Sequence, residues 1–65
     1  MRVTLNGEPV EGAAGTLADF VLSQDFDPTV VATAVNGEFV PRDARADVVL
    51  AEGDSIEVFS PRQGG

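Results

Sequence analysis

The chain has 65 residues, 43% of them hydrophobic and 23% charged, a balance that suits one small globular domain burying only about 60% of its unfolded surface and argues against wholesale disorder. Eleven acidic residues against four arginines leave a net charge of −7, which repels nucleic acid and anionic membrane surfaces and favours a protein partner with a basic patch. With no Cys and no His, a disulfide framework, a thiolate nucleophile, an imidazole base and a cysteine-based metal site are all excluded.

Arg2-Val3-Thr4-Leu5 alternates at the strand period, Asn6-Gly7 is a strong hairpin signal, and Glu8-Pro9-Val10 returns as a second strand, with Pro9 confined to an edge or a strand start. That alternation contains no continuous apolar stretch after Arg2, so a signal peptide is not expected, and no segment is long enough to span a bilayer; the expected location is cytoplasmic. Thr16-Leu17-Ala18-Asp19 has the form of a helix N-cap, and Leu17, Phe20 and Val21 give the following two turns one apolar face before Gln24-Asp25 and the Asp27-Pro28 break. Val30 to Val35 reads as a β-branched strand, Asn36-Gly37 as a second hairpin turn, and Glu38-Phe39-Val40 as a short strand stopped by Pro41. A connecting stretch through Val48-Val49-Leu50 leads to the turn Glu52-Gly53-Asp54 and a last strand with Ile56 and Val58 on one face and Phe59 on the other. The order strand, strand, helix, strand, strand, strand predicts an α+β fold, one helix laid across a mixed five-stranded sheet.

Residues 1–59 are the expected folded domain and 60–65 a flexible tail: Pro61 cannot donate to a ladder, and Gly64 and Gly65 have no side chains to anchor them. An extended chain ending in two glycines and a bare carboxylate is suited to threading a narrow catalytic channel of another enzyme, since a Cβ at either position would block close approach of the backbone. Weaker sites are Asp25/Asp27, Asp43/Asp47 and Glu52/Asp54, each in a turn or cap where acids are locally favoured, and Gly12-Ala13-Ala14-Gly15, which lacks the Gly-Lys-Ser/Thr of a phosphate loop. No metal or bound cofactor is expected.

The hairpin opening Val3-Thr4-Leu5-Asn6-Gly7-Glu8, the helix start Gly15-Thr16-Leu17, the run Ala34-Val35-Asn36-Gly37-Glu38-Phe39-Val40-Pro41-Arg42, Gly53-Asp54 and the final Gly64-Gly65 together resemble the ThiS family of sulfur carriers in thiamin biosynthesis. Arg45 stands where many members place a Trp, and Gln63 where many place a small apolar residue. The resemblance implies a ubiquitin-like β-grasp fold and a carrier that is not itself an enzyme. It further implies that a ThiF-like adenylyltransferase uses ATP to activate the Gly65 carboxylate, that a persulfide donor supplies sulfur to give a thiocarboxylate, and that a ThiG-like thiazole synthase accepts it. Gly65 is then the modified terminus and Gly64 keeps it accessible, with Phe59, Arg62 and Gln63 as expected partner contacts. The Gly-Gly end is shared with carriers for molybdopterin or cysteine biosynthesis and with ubiquitin-like protein modifiers, so those readings stay open, as does a purely non-covalent binding module.

Overall fold

The computed structural model describes residues 1–60. Five strands, β1 (Arg2–Leu5), β2 (Glu8–Glu11), β3 (Ala32–Val35), β4 (Glu38–Val40) and β5 (Ser55–Phe59), form one sheet in the order β2-β1-β5-β3-β4. Only the central β1–β5 pair is parallel; the others are antiparallel. The sheet is therefore mixed, with helix α1 (Leu17–Ser23) packed on one face, in agreement with a β-grasp topology. No helix among the described residues is long and apolar enough to cross a membrane.

Local chemistry accounts for most boundaries. Asn6 and Asn36 hold left-handed backbones, φ 52° and 51°, each followed by a glycine with positive φ. These are the conformations that let a two-residue hairpin match the strand twist. Pro9 falls on β2, an edge strand, where its missing N–H leaves no gap in the ladder. At the start of α1, Thr16 Oγ1 accepts the Asp19 N–H and Asp19 Oδ2 accepts the Thr16 N–H, both at 3.2 Å, closing a capping box. Gly15 has to precede it: its φ is +83°, and a Cβ there would lie 2.6 Å from Asp19 Oδ2. The helix ends with Asp25 left-handed, its N–H bonded to Leu22 O and the Phe26 N–H to Val21 O. That double bond pattern is a Schellman closure, with Asp25 in the place glycine usually takes.

Leu17, Phe20 and Val21 on the helix meet Val3, Ile56 and Val58 from the sheet, and these six residues are almost wholly buried. Val40, Leu50 and Ala13 complete the core around them.

Two features depart from expectation. The strand expected over Val30 to Val35 begins only at Ala32, because Asp27 Oδ1 accepts both the N–H (2.9 Å) and the hydroxyl (2.7 Å) of Thr29, while Asp27 O accepts the Val30 and Val31 N–H groups. This local turn takes the backbone donors a strand would have used. The bonds from Thr29 also hold the Asp27 carboxyl below its ordinary pKa. Second, the connecting stretch contains a 3₁₀ helix over Arg42–Asp47, after which Val48 O accepts the Leu17 N–H (2.9 Å) and the Leu50 N–H bonds Gly15 O (3.0 Å). The connection thereby satisfies a first-turn donor of α1 that the capping box leaves open.

Arg45, in that 3₁₀ helix, is only 4% exposed. Its Nε donates to Thr33 Oγ1 (3.0 Å), Nη1 to Pro28 O (3.0 Å) and Nη2 to Val31 O (2.7 Å), and Thr33 Oγ1 in turn donates to Val40 O (2.9 Å). All these acceptors are uncharged. Burial, together with nearby Arg42, lowers the guanidinium pKa from its usual value, but an arginine remains charged at neutral pH. Here the charge is solvated by oxygens of the α1–β3 loop and β3 rather than by a carboxylate, tying the connection to the sheet. Replacing Arg45 with Ala strands two loop carbonyls and should destabilise the fold by about 2–4 kcal/mol in urea unfolding. Arg45→Lys should recover only part of that, because an ammonium cannot reproduce the spread of the guanidinium fork; a loss of stability too small to measure in the Ala variant would show that water replaces the side chain without cost.

Candidate functional site

Strand β5 carries the chain toward its Gly-Gly end. Pro61, Arg62, Gln63, Gly64 and Gly65 lie outside the described residues, so the expectations for Arg62, Gln63, Gly64 and Gly65 have no structural counterpart; the geometry that bears on them is that of the strand before them and the surface beside it. On β5, Ile56 and Val58 are buried while Ser55, Glu57 and Phe59 are exposed, the strict alternation of a half-buried strand. Phe59 is 52% exposed on the face opposite α1, immediately before Ser60.

Strand register assembles the rest of this face. Ala32 pairs with Phe59, Ala34 with Glu57, and Ala34 also with Phe39 across the β3–β4 hairpin. Two small alanines therefore separate two phenylalanines, and Phe39 is 67% exposed. The outcome is an apolar strip across β5, β3 and β4 beside the exit of the tail, with Glu57 among its residues. Sequence reading singled out Phe59 and missed Phe39, Ala32 and Ala34. The alternation in Ala32-Thr33-Ala34-Val35 contained the signal, since it places both alanines on one face, but only the β3–β4 and β3–β5 registers bring the two rings to either side of them.

Three of the candidate carboxylates are occupied with structural work. Asp27 closes its own turn, Asp54 accepts the Ala51 N–H (2.8 Å) and Asn36 Nδ2 (3.0 Å), and Glu52 accepts the Arg2 N–H (3.0 Å). Arg2 also pairs with Glu11 at 2.6 Å, an exposed contact worth little stability. Among the described residues no group of three or more metal-ligating side chains occurs, and no ligand-sized pocket opens.

The ThiS family model matches residues 3–65 of the chain. A thiazole synthase from Magnetococcus marinus is 41% identical over 66 residues, a stretch that covers all of this chain and 20% of that protein; the chain thus spans a fifth of the length of this curated relative. The crystal structure of a thiamine biosynthesis protein, ThiS, from Geobacter metallireducens superposes with a TM-score of 0.83 at 28% identity, covering 100% of both chains. A solution structure of a Geobacter metallireducens thiamine biosynthesis protein gives 0.81 at 28% identity, covering 100% of this chain and 88% of that one.

The two faces of the sheet should differ in how much stability a truncated side chain costs. Phe39→Ser and Phe59→Ser, on the open face, should each change the unfolding free energy by less than about 1 kcal/mol, whereas Val58→Ala should cost roughly 1–3 kcal/mol. Equal losses at Phe59 and Val58 would mean that the Phe59 ring is packed in the folded state.

Proposed function

The chain belongs to the ThiS family of sulfur carrier proteins, which are shuttles and not enzymes, and we propose that its Gly65 carboxylate is the group that bears the sulfur. A carboxylate is a poor electrophile because its leaving group is oxide. Attack of a Gly65 oxygen on the α-phosphorus of ATP, catalysed by a ThiF-like adenylyltransferase, expels pyrophosphate and leaves an acyl-adenylate whose leaving group is AMP. Hydrosulfide then displaces AMP directly; a persulfide donor instead gives an acyl disulfide that a thiol reduces. Either route ends in a thiocarboxylate, whose sulfur is a soft nucleophile for a ThiG-like thiazole synthase.

The observation that carries this reading is the match to the ThiS family through residue 65, the second glycine of the Gly64-Gly65 end. Thiazole formation is favoured over molybdopterin or cysteine biosynthesis, and over protein modification, because a segment similar to the whole chain occurs within a thiazole synthase. The composition fits a carrier on which others act. An activated acyl group is open to any nearby amine or thiol, and this chain has neither Lys nor Cys. Its acidic surface calls for basic patches on the partners, with association slowing as salt rises.

Docking is assigned to the strip around Phe59, extended by Phe39, with Arg62 and Gln63 contacting the partner along the tail. An aromatic ring already exposed costs little to present and gains by burial, as interface anchors do.

The direct test is the intact mass of the protein after incubation with ATP, a ThiF-like enzyme and a sulfur donor. A gain equal to exchange of one oxygen for sulfur is expected in the full chain and absent when Gly65 is deleted; adenylation that persists without Gly65 would overturn the assignment. Separately, Phe59→Ala should weaken binding to the activating enzyme by about tenfold or more, and unchanged affinity would remove the strip from the interface.

A further inference from the structure

We propose that Asn6 is a positioning residue that clamps the end of β5 and so fixes where Phe59 and the tail begin. The proposal rests on the Gly65 reading and concerns how that terminus is presented.

Strand β1 accompanies β5 only part of the way. Their parallel register pairs Thr4 with Ser55 and Leu5 with Ile56, after which the chain turns away at Asn6-Gly7 toward β2. The last residues of β5 would then have no neighbour on that side. The Asn6 side chain supplies one: Oδ1 accepts the Val58 N–H at 3.0 Å and Nδ2 donates to Val58 O at 3.1 Å, while the Asn6 backbone N–H bonds Ile56 O at 2.9 Å. A carboxamide has the same donor–acceptor geometry as a peptide unit, so these contacts act as an added rung of the sheet. Val58 is 3% exposed, and a buried backbone amide and carbonyl left without partners are costly.

Residue choice at this position is narrow. The turn requires a left-handed backbone, which Gly, Asn and Asp tolerate. Gly has no side chain, and an ionised Asp accepts but cannot donate. Asn alone of the three meets both the turn and the rung.

The clamp holds Val58, which lies seven residues before Gly65 and next to Phe59. While it holds, Phe59 stays in register with Ala32 on the open face and the tail leaves from one point. The six residues 60–65 can span about 20 Å when extended, so a partner gripping both the strip and the terminus works within a short tether whose benefit depends on a fixed origin. Fraying of β5 at Val58 would remove Phe59 from the strip and spread the tail's starting point together.

The second Asn-Gly turn provides a control within the same molecule. Asn36 Oδ1 accepts the Ser55 N–H at 3.0 Å, which splints β5 at its start, away from the tail. Asn6→Gly and Asn36→Gly both keep a turn-compatible residue and both delete a splint, so a purely stabilising role predicts similar effects.

The test measures pyrophosphate release by a ThiF-like enzyme against carrier concentration, below the melting temperature of every variant. Asn6→Gly should raise KM for the carrier about five- to tenfold with kcat little changed, Asn36→Gly should leave KM near wild type, and Asn6→Gly combined with Phe59→Ala should be clearly less than additive. On the carrier alone, amide hydrogen exchange should accelerate at Val58 in Asn6→Gly and remain unchanged at Val3. If Asn6→Gly does not fold, Asn6→Asp, which retains the acceptor, should show a smaller shift in the same direction. A wild-type KM in Asn6→Gly, or equal increases in both glycine variants, would overturn the positioning role, and unchanged exchange at Val58 would overturn the clamp itself. Absence of adenylation in the wild-type chain would instead strike the Gly65 reading, while exchange at Val58 still decides the clamp.

Discussion

The pairing of β5 between β1 and β3 is the contact on which the remainder of the molecule closes. This strand comes last in the described chain yet lies at the centre of the sheet, parallel to β1 on one side and antiparallel to β3 on the other. Its Ile56 and Val58 form part of the floor on which α1 rests. Each of the two hairpins is local, but joining them requires a strand some 50 residues from β1, so loop-closure entropy is met before the core can reward it. The strand that leads toward residues 60–65 is thereby paired on both sides within the sheet.

A domain this small has little core with which to hold long connections, and polar contacts supplement it. Arg45 is the clearest instance, a buried charge solvated by a threonine hydroxyl and two loop carbonyls. Most buried arginines are expected to meet a carboxylate. With uncharged acceptors there is no ion pair to break on protonation of an acid, and the contact depends on loop geometry instead. Thr33 extends the network to Val40 O, so that the 3₁₀ helix, the α1–β3 loop, β3 and β4 share one set of hydrogen bonds. Among the described residues no buried side-chain polar atom lacks a partner.

The chemistry proposed for this chain needs no general base, side-chain nucleophile or metal from it, and its composition has neither His nor Cys to supply them. What the fold contributes is presentation. One sheet face is closed by α1; the other displays two aromatic rings separated by alanines, next to the point where the chain leaves β5. If the strip is the docking face, the acidic charge would act at long range and the strip at contact distance, at successive stages of an encounter.

The features legible in the sequence are those whose hydrogen bonds close within a few residues. Thr16 and Asp19 cap α1 across three positions, both Asn-Gly turns bend where expected, and the alternation of Ile56, Val58 and Phe59 distinguishes the faces of β5. The Gly64-Gly65 end suggests the carrier role through a terminus that needs no tertiary contact to be recognised. Other features depended on partners far along the chain. Nothing in the sequence around Arg45 indicates its burial against Thr33, Pro28 and Val31. Asn6 reads as a turn residue until Val58, 52 positions away, is found against its carboxamide. Phe39 and Phe59 belong to one surface only through two strand registers. The sequence by itself determined the order of the five strands and the main helix, the helix N-cap, both Asn-Gly turns and the family, because propensity and local hydrogen bonding act within a turn or a strand. Only the tertiary structure decided that Arg45 is buried, Val58 clamped and Phe39 set on one surface with Phe59, because that follows from which distant backbone groups meet once the strands have paired.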